Sequence, residues 1–400
     1  MAVGCAERPA WEQADARPVP TPETAGWESL TADERPRRWR GGVTTFARQH
    51  PGVPNAGLQL PRVSPNGEWV TFLDVDRQGG VVPSDAWLTG RGLEGVSLWL
   101  RRVEDDGLAR NVAYGYAAWP TWSPDGARLV FVSHDPGTGC ALVIHDVMAQ
   151  RSQRLAVGIQ KMVTPAVSPD GTRVAVAGYG ELPDRAVLFV VDLKTGEAVP
   201  GPRPTLGGAQ LMPVWLDDDT LLYVELDEAG GGLMRWRPGR SVAEPVAPLA
   251  LPASIFDAVH LHAGIARPIS PDAQRFAYYA VPNDRVELVE LSTATATPLE
   301  RGDRAGAWWG RDWFIVADND QLALVAPPRF AASQSLDDVA LGADTEEADD
   351  APRSVESPRM VLLPGRWVPL WTDAASHSMI LIGPGELGRF DVLQLWAVTR

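Results

Sequence analysis

An all-β ring of repeated four-stranded units is the architecture this sequence predicts, on three observations. First, Trp122-Ser123-Pro124-Asp125-Gly126, followed by the apolar run Leu129 to Val132, returns at Ser168-Pro169-Asp170-Gly171 and, eroded, at five other places. Second, the copies recur at intervals of roughly 40 to 60 residues, close to the period of a propeller blade. Third, a further β-rich run follows each hairpin, and the 38 Gly and 35 Pro are spread along the chain, as many short strands joined by turns require. The prediction is a seven-bladed β-propeller of four-stranded antiparallel blades, its ring closed by an N-terminal strand, with six blades as the alternative.

Each element has its own justification. In the turn, Pro124 fixes φ, Asp125 bonds nearby backbone and Gly126 accepts a positive φ. Aligned on the serine, the copies stand at Ser64, Ser123, Ser168, Leu216, Ser270, Gly310 and Thr372. The residue before each is Val63, Trp122, Val167, Trp215, Ile269, Trp309 or Trp371, always large and apolar, which assigns it to the core. Pro stands three residues before the serine position in five copies, Pro61, Pro120, Pro165, Pro213 and Pro369, and Pro268 stands one residue later in a sixth. After the turn, pairs such as Leu129/Phe131 and Val174/Val176 alternate in the phase that buries one strand face. Third strands follow at Ser97 to Leu100, Ala141 to Ile144, Val187 to Val191, Leu233 to Trp236, Val286 to Val289, Leu322 to Val325 and Val392 to Trp396.

The last copy reaches Arg400 directly after its third strand, so Val43 to Phe46 is expected to supply the missing outer strand and cover an edge. The Gly310 copy has lost the turn residues, which keeps six blades open. Residues 1–42 are expected to be a tail or tether and 43–400 the propeller, with an acidic loop insert at about 333–358. A second insert, rich in Gly and Asp, runs from Asp74 to Gly95 in the first blade.

Composition narrows the function. A net charge of −15 argues against nucleic acid and anionic membrane, both of which select basic surfaces. No apolar run reaches the ~18 residues of a membrane span. Of 36 basic residues only Lys161 and Lys194 are lysine, which is taken as codon bias rather than a site. Ala2-Val3-Gly4-Cys5 is similar to the end of a bacterial lipoprotein signal, so Cys5 is a candidate lipidation site and lipid anchor if a signal lies upstream; the compartment is then extracytoplasmic, and otherwise cytoplasmic.

The turn Ser-Pro-Asp-Gly, preceded by Pro-x-Trp and followed by Arg-x-ϕ-x-ϕ with ϕ an apolar residue, resembles the repeats of TolB-like β-propellers and of the propellers of prolyl-oligopeptidase-type peptidases, with Pro120 to Leu129 the best match. The resemblance covers roughly residues 58 to 400. It implies a rigid disc whose loops or channel mouth bind a protein or a small ligand, without the nucleophile elbow of a hydrolase. The expected role is therefore a non-enzymatic binding or scaffold propeller, monomeric and without a cofactor. The alternative is a propeller enzyme, a metal-dependent lyase or glycan-active protein, working at the channel mouth. Its weak metal candidates are His260 and His262, whose imidazoles share a side of an extended segment. Candidates for ligand or partner binding are the loop aromatics Trp87, Tyr114, Tyr116 and Tyr179, together with His134, His260 and His262. Trp119, on an inner strand, has a second reading as core.

Overall fold

In a computed structural model, the described residues are 39–46, 59–75, 84–89, 91–103, 109–179, 185–204, 208–227, 230–250, 265–310, 313–318, 320–325, 359–364, 368–373, 378–382 and 390–397. The first strand, β1 (Trp39–Phe46), is set apart from the repeats. Blade 1 holds β2 (Gln59–Val63), β3 (Trp69–Val75), the helix α1 (Ser84–Thr89), β4 (Val96–Arg102) and β5 (Arg110–Ala113). Blade 2 holds β6 (Ala117–Trp122), β7 (Arg128–Ser133), β8 (Ala141–Asp146) and β9 (Arg151–Leu155). Blade 3 follows with β10 (Lys161–Val167), β11 (Arg173–Tyr179), β12 (Val187–Asp192) and β13 (Ala198–Pro200), and blade 4 with β14 (Ala209–Asp217), β15 (Thr220–Asp227), β16 (Gly230–Trp236) and β17 (Glu244–Pro248). Blade 5 has β18 (Arg275–Ala280), β19 (Arg285–Glu290) and β20 (Thr295–Pro298). Blade 6 has β21 (Ala305–Trp309), β22 (Trp313–Ala317), β23 (Gln321–Val325) and β24 (Arg359–Pro364); the last sheet has β25 (Val368–Asp373), β26 (Ser378–Ile382) and β27 (Phe390–Ala397).

Among the described residues, antiparallel pairing makes six four-stranded sheets and one of three strands, in sequence order except that β1 joins β27. The first strands of neighbouring blades touch, β2 against β6, β6 against β10, β10 against β14 and β21 against β25, and β2 meets β25 to complete the circuit. The chain is thus a β-propeller with first strands innermost. β1 pairs with β27 along its whole length, Trp39 opposite Ala397 to Phe46 opposite Phe390, so the last blade takes its outer strand from the N-terminal side. That strand starts at Trp39, earlier than the expected Val43.

Blade 5 shows three strands among the described residues, and the segment before β18 is divided between two blades. Ile269 bridges Phe276, but Ile265 bridges Gly306 of β21, and Ala266 N donates to Gly306 O at 3.0 Å. Pro268, displaced by one residue in this copy, has no N–H to offer β18, although its carbonyl accepts from Ala277 N at 2.7 Å.

The repeat motif does three jobs. Ser64, Ser123, Ser168 and Ser270 are buried, and each hydroxyl accepts the backbone N–H of the residue five positions on, at 2.9 to 3.0 Å, while donating to Asn66, Asp125, Asp170 or Asp272. The hairpin is thereby closed by a buried side chain as well as by its turn. The Pro three residues earlier marks a bulge: register shifts lie between Ala118 and Thr121, Val163 and Ala166, and Leu211 and Val214. Trp119, Thr164 and Met212, which precede Pro120, Pro165 and Pro213, have φ of 53°, 50° and 54°, and Met212 N donates to Thr164 Oγ1 across blades at 3.2 Å.

Finally, the blades are stapled. Trp122 Nε1 donates to Arg62 O of blade 1 (3.2 Å), Trp215 Nε1 to Ala166 O of blade 3 (2.9 Å), Trp308 Nε1 to Pro268 O of blade 5 (3.3 Å) and Trp371 Nε1 to Pro65 O of blade 1 (3.0 Å). In the other direction Arg128 Nη2 reaches Gly171 O of the next turn at 2.9 Å, and Arg173 reaches Asp218 O and stacks over Trp215 at 5.2 Å. Gly67, at φ 74°, sits where a Cβ would come 2.8 Å from the Trp371 ring, so the seam between the first and last blades requires glycine there.

Candidate functional site

Alternating strand direction sorts the connections to two ends of the ring. The Ser-Pro-Asp-Gly turns occupy one end. At the other lie the β5–β6 connection with Tyr114 and Tyr116, the β7–β8 loop from His134 to Cys140, the β9–β10 connection to Gln160, the α1 insert, and the last residue of β11, Tyr179. Five predicted site residues, Trp87, Tyr114, Tyr116, His134 and Tyr179, therefore share one end over blades 1 to 3. His260, His262 and Cys5 lie outside the described residues, as does the acidic loop 333–358.

Their depths differ. Tyr114 is 81% exposed, whereas Trp87 is 6% and Tyr179 5% exposed. Trp87 belongs to α1, a helix that the Gly- and Asp-rich character of the insert conceals. Ala86, Trp87 and Leu88 are buried, and the helix packs on the inner strands, touching β10. Trp119 Nε1 donates to Trp87 O at 2.8 Å, and the two rings meet edge to face at 6.3 Å. Trp87 and Trp119 thus anchor the insert and belong to the core.

Tyr114 projects because its neighbours are clamped. Gly115 and Tyr116 both have positive φ, 64° and 58°. Gly115 N donates to Ser97 Oγ (3.3 Å), Tyr116 N to Leu93 O (2.8 Å), and Tyr116 O accepts from His134 N (2.9 Å). Beside this turn a groove of about 250 Å³ runs between blades 1 and 2, with Val112, Phe131 and Val143 apolar and Ser133, Asp135 and Arg154 polar. Arg154 donates to Ser133 Oγ at 3.1 Å and to the carbonyls of Thr138 and Gly139, holding the β7–β8 loop in place. Asp135 accepts from Gly137 N at 2.8 Å and Thr138 Oγ1 at 2.9 Å, which holds its carboxyl below the usual range.

On the far side of the same loop, His134, Asp135 and Cys140 face Gln160 and Lys161 across a hollow of about 190 Å³ between blades 2 and 3. Burial, with the Lys161 charge, pushes His134 down to about 4, against a bond to the Met162 backbone, so the ring is neutral at pH 7. Burial pushes the Cys140 thiol up to about 11, so it stays protonated. Asp135, Cys140, Arg154, Gln160 and Lys161 were not among the predicted site residues; the rarity of lysine was the one signal pointing at Lys161. Among the described residues no three His, Cys, Asp or Glu side chains are placed to hold a metal.

No family model and no curated protein matches this sequence. Solved structures similar to it are TolB and TolB-like β-propeller domains. The TolB of Acinetobacter baumannii is 12% identical over 65% of this chain and 61% of that one, with a TM-score of 0.45, so this chain spans about three fifths of it. The β-propeller domain of the Trilobed protease from Pyrococcus furiosus is 12% identical over 86% of this chain and 96% of that one, TM-score 0.49. A putative TolB from Agrobacterium tumefaciens is 16% identical over 66% and 90%, TM-score 0.44. No helix among the described residues is long and apolar enough to cross a membrane.

Proposed function

We propose that the protein is a non-enzymatic binding propeller that docks a protein partner on the loop end of blades 1 and 2. The observation that carries this is Tyr114, 81% exposed on a turn whose backbone is fixed on both sides. A rigidly held tyrosine beside a groove with both apolar and polar walls offers contact area while ordering few groups on binding. The net charge of −15 favours a partner with a neutral or basic contact surface.

Site-directed photo-crosslinking tests the reading. With p-benzoylphenylalanine at position 114, a discrete crosslinked partner is expected in cells. Position 148, where Met148 is 80% exposed in the β8–β9 turn at the opposite end, is expected to give none. Equal crosslinking from the two positions, or none from 114, refutes it.

A further inference from the structure

His134, which lines the hollow between blades 2 and 3, and Tyr179, paired with the lining residue Lys161, each carry a polar atom without a partner among the described residues. His134 Nε2 and the Tyr179 hydroxyl are both buried and neither makes a hydrogen bond. Leaving a buried polar atom unsatisfied is costly, so two such atoms close together call for an explanation. Lys161 stands opposite Tyr179 in the β10–β11 ladder, its ammonium 5.8 Å from the ring centre, and pairs with no carboxylate among the described residues. Through that pairing Tyr179 stands beside Lys161, which lines the hollow, at the loop end of β11.

The groups differ in what they can offer. Lys161 is a cation and donor, and the Tyr179 hydroxyl is a free donor. The neutral His134 ring is bonded toward Met162, which leaves Nε2 with a lone pair. Asp135 already uses both oxygens within its own turn. The vacant set is therefore a positive charge with an adjacent hydroxyl donor, and one neutral acceptor across a space of about 190 Å³. A charged carboxylate with a nearby hydroxyl meets all three requirements.

We infer that this hollow binds a small free hydroxycarboxylate, its carboxylate on Lys161 Nζ and the Tyr179 hydroxyl, its own hydroxyl donating to His134 Nε2. The inference rests on reading this end of the ring as the binding end, but uses a different cavity from the Tyr114 groove.

Calorimetric titration of the full chain with glycolate, L-lactate, D-lactate and L-malate is the test, with lactamide as the uncharged control. At least one acid is expected to bind saturably at one site and lactamide not to bind. Lys161→Gln and Tyr179→Phe are each expected to weaken that acid about tenfold. Tyr179→Phe is also expected to leave the Tm of the free protein unchanged or higher, because it removes a hydroxyl that has no partner. Saturable binding by none of the four acids, or binding that survives Lys161→Gln, overturns the site. Crosslinking from position 114 in the Lys161→Gln protein separates the two readings: if it persists while acid binding is absent from the parent chain, only the hollow is refuted.

Discussion

Trp122, Trp215 and Trp371 hold the same place in three blades, and each sends its indole N–H out of its own blade to a carbonyl of a neighbour. A phenylalanine would fill most of the volume but donate nothing. This separates the two uses of the position, since Ile269 shows that an apolar residue alone suffices for burial in another copy. For Trp215→Phe, the bond to Ala166 O and part of the Arg173 stacking are lost together. The expected cost is about 1–3 kcal/mol, read as a lower urea midpoint with an unchanged m-value. An unchanged midpoint would show that the ring holds by apolar contact alone. The apolar character of the position was legible in the sequence; its bonding partner was not, because the acceptors lie in other blades, 49 residues away for Trp215 and 306 for Trp371.

At the scale of elements, hairpins were the most legible feature, because a two-residue alternation bounded by Ser-Pro-Asp-Gly specifies both strands and the turn between them. The helix α1 was not legible, since six residues carry no helical period. Depth within the site was equally hidden. Tyr114 and Tyr179 have similar loop-end positions, and only the packing of blade 3 buries the second. The loop between β18 and β19 shows how such connections are fixed. Asp284, at φ 50°, accepts from Arg304 Nε at 2.7 Å and Nη2 at 3.0 Å, and from the Tyr279 hydroxyl at 2.7 Å, tying this loop to the segment that enters blade 6. The Arg304 bond, then the Tyr279 bond, hold the Asp284 carboxyl at about 2, against 3.8 for a free aspartate. A folded-state value below the unfolded one means the contribution is complete above pH 4 and lost as pH falls through 2. Arg304→Gln should therefore lower Tm at pH 7 and have little effect at pH 2. Because the pair is partly exposed and screened, the shift at pH 7 is expected to be roughly 1–2 °C. An equal shift at both values would assign the effect to packing.

Over the whole molecule, ring closure brings the first strand of the last blade, β25, against that of the first, β2. The seam is built twice: once by Trp371 against Pro65 and Gly67, inside, and once by β1 on β27, outside. The outer closure follows from a simple need that the sequence made visible, since a last repeat with three strands leaves an edge open and a β-rich run stands before the first repeat. The inner closure was invisible, because it depends on a glycine that reads as an ordinary turn residue. The two are expected to contribute differently. Deleting residues 1–46 leaves the inner seam in place but uncovers the backbone groups of β27 over its full eight-residue pairing with β1. The truncated protein should still unfold cooperatively, with Tm lower by roughly 5–10 °C and with concentration-dependent association through the bared edge. Adding a synthetic peptide of residues 39–46 should reverse both effects, because the binding of a separate strand to the native edge stabilises by mass action. A truncated protein with the parent Tm and no association would show that β1 covers the edge without holding the ring.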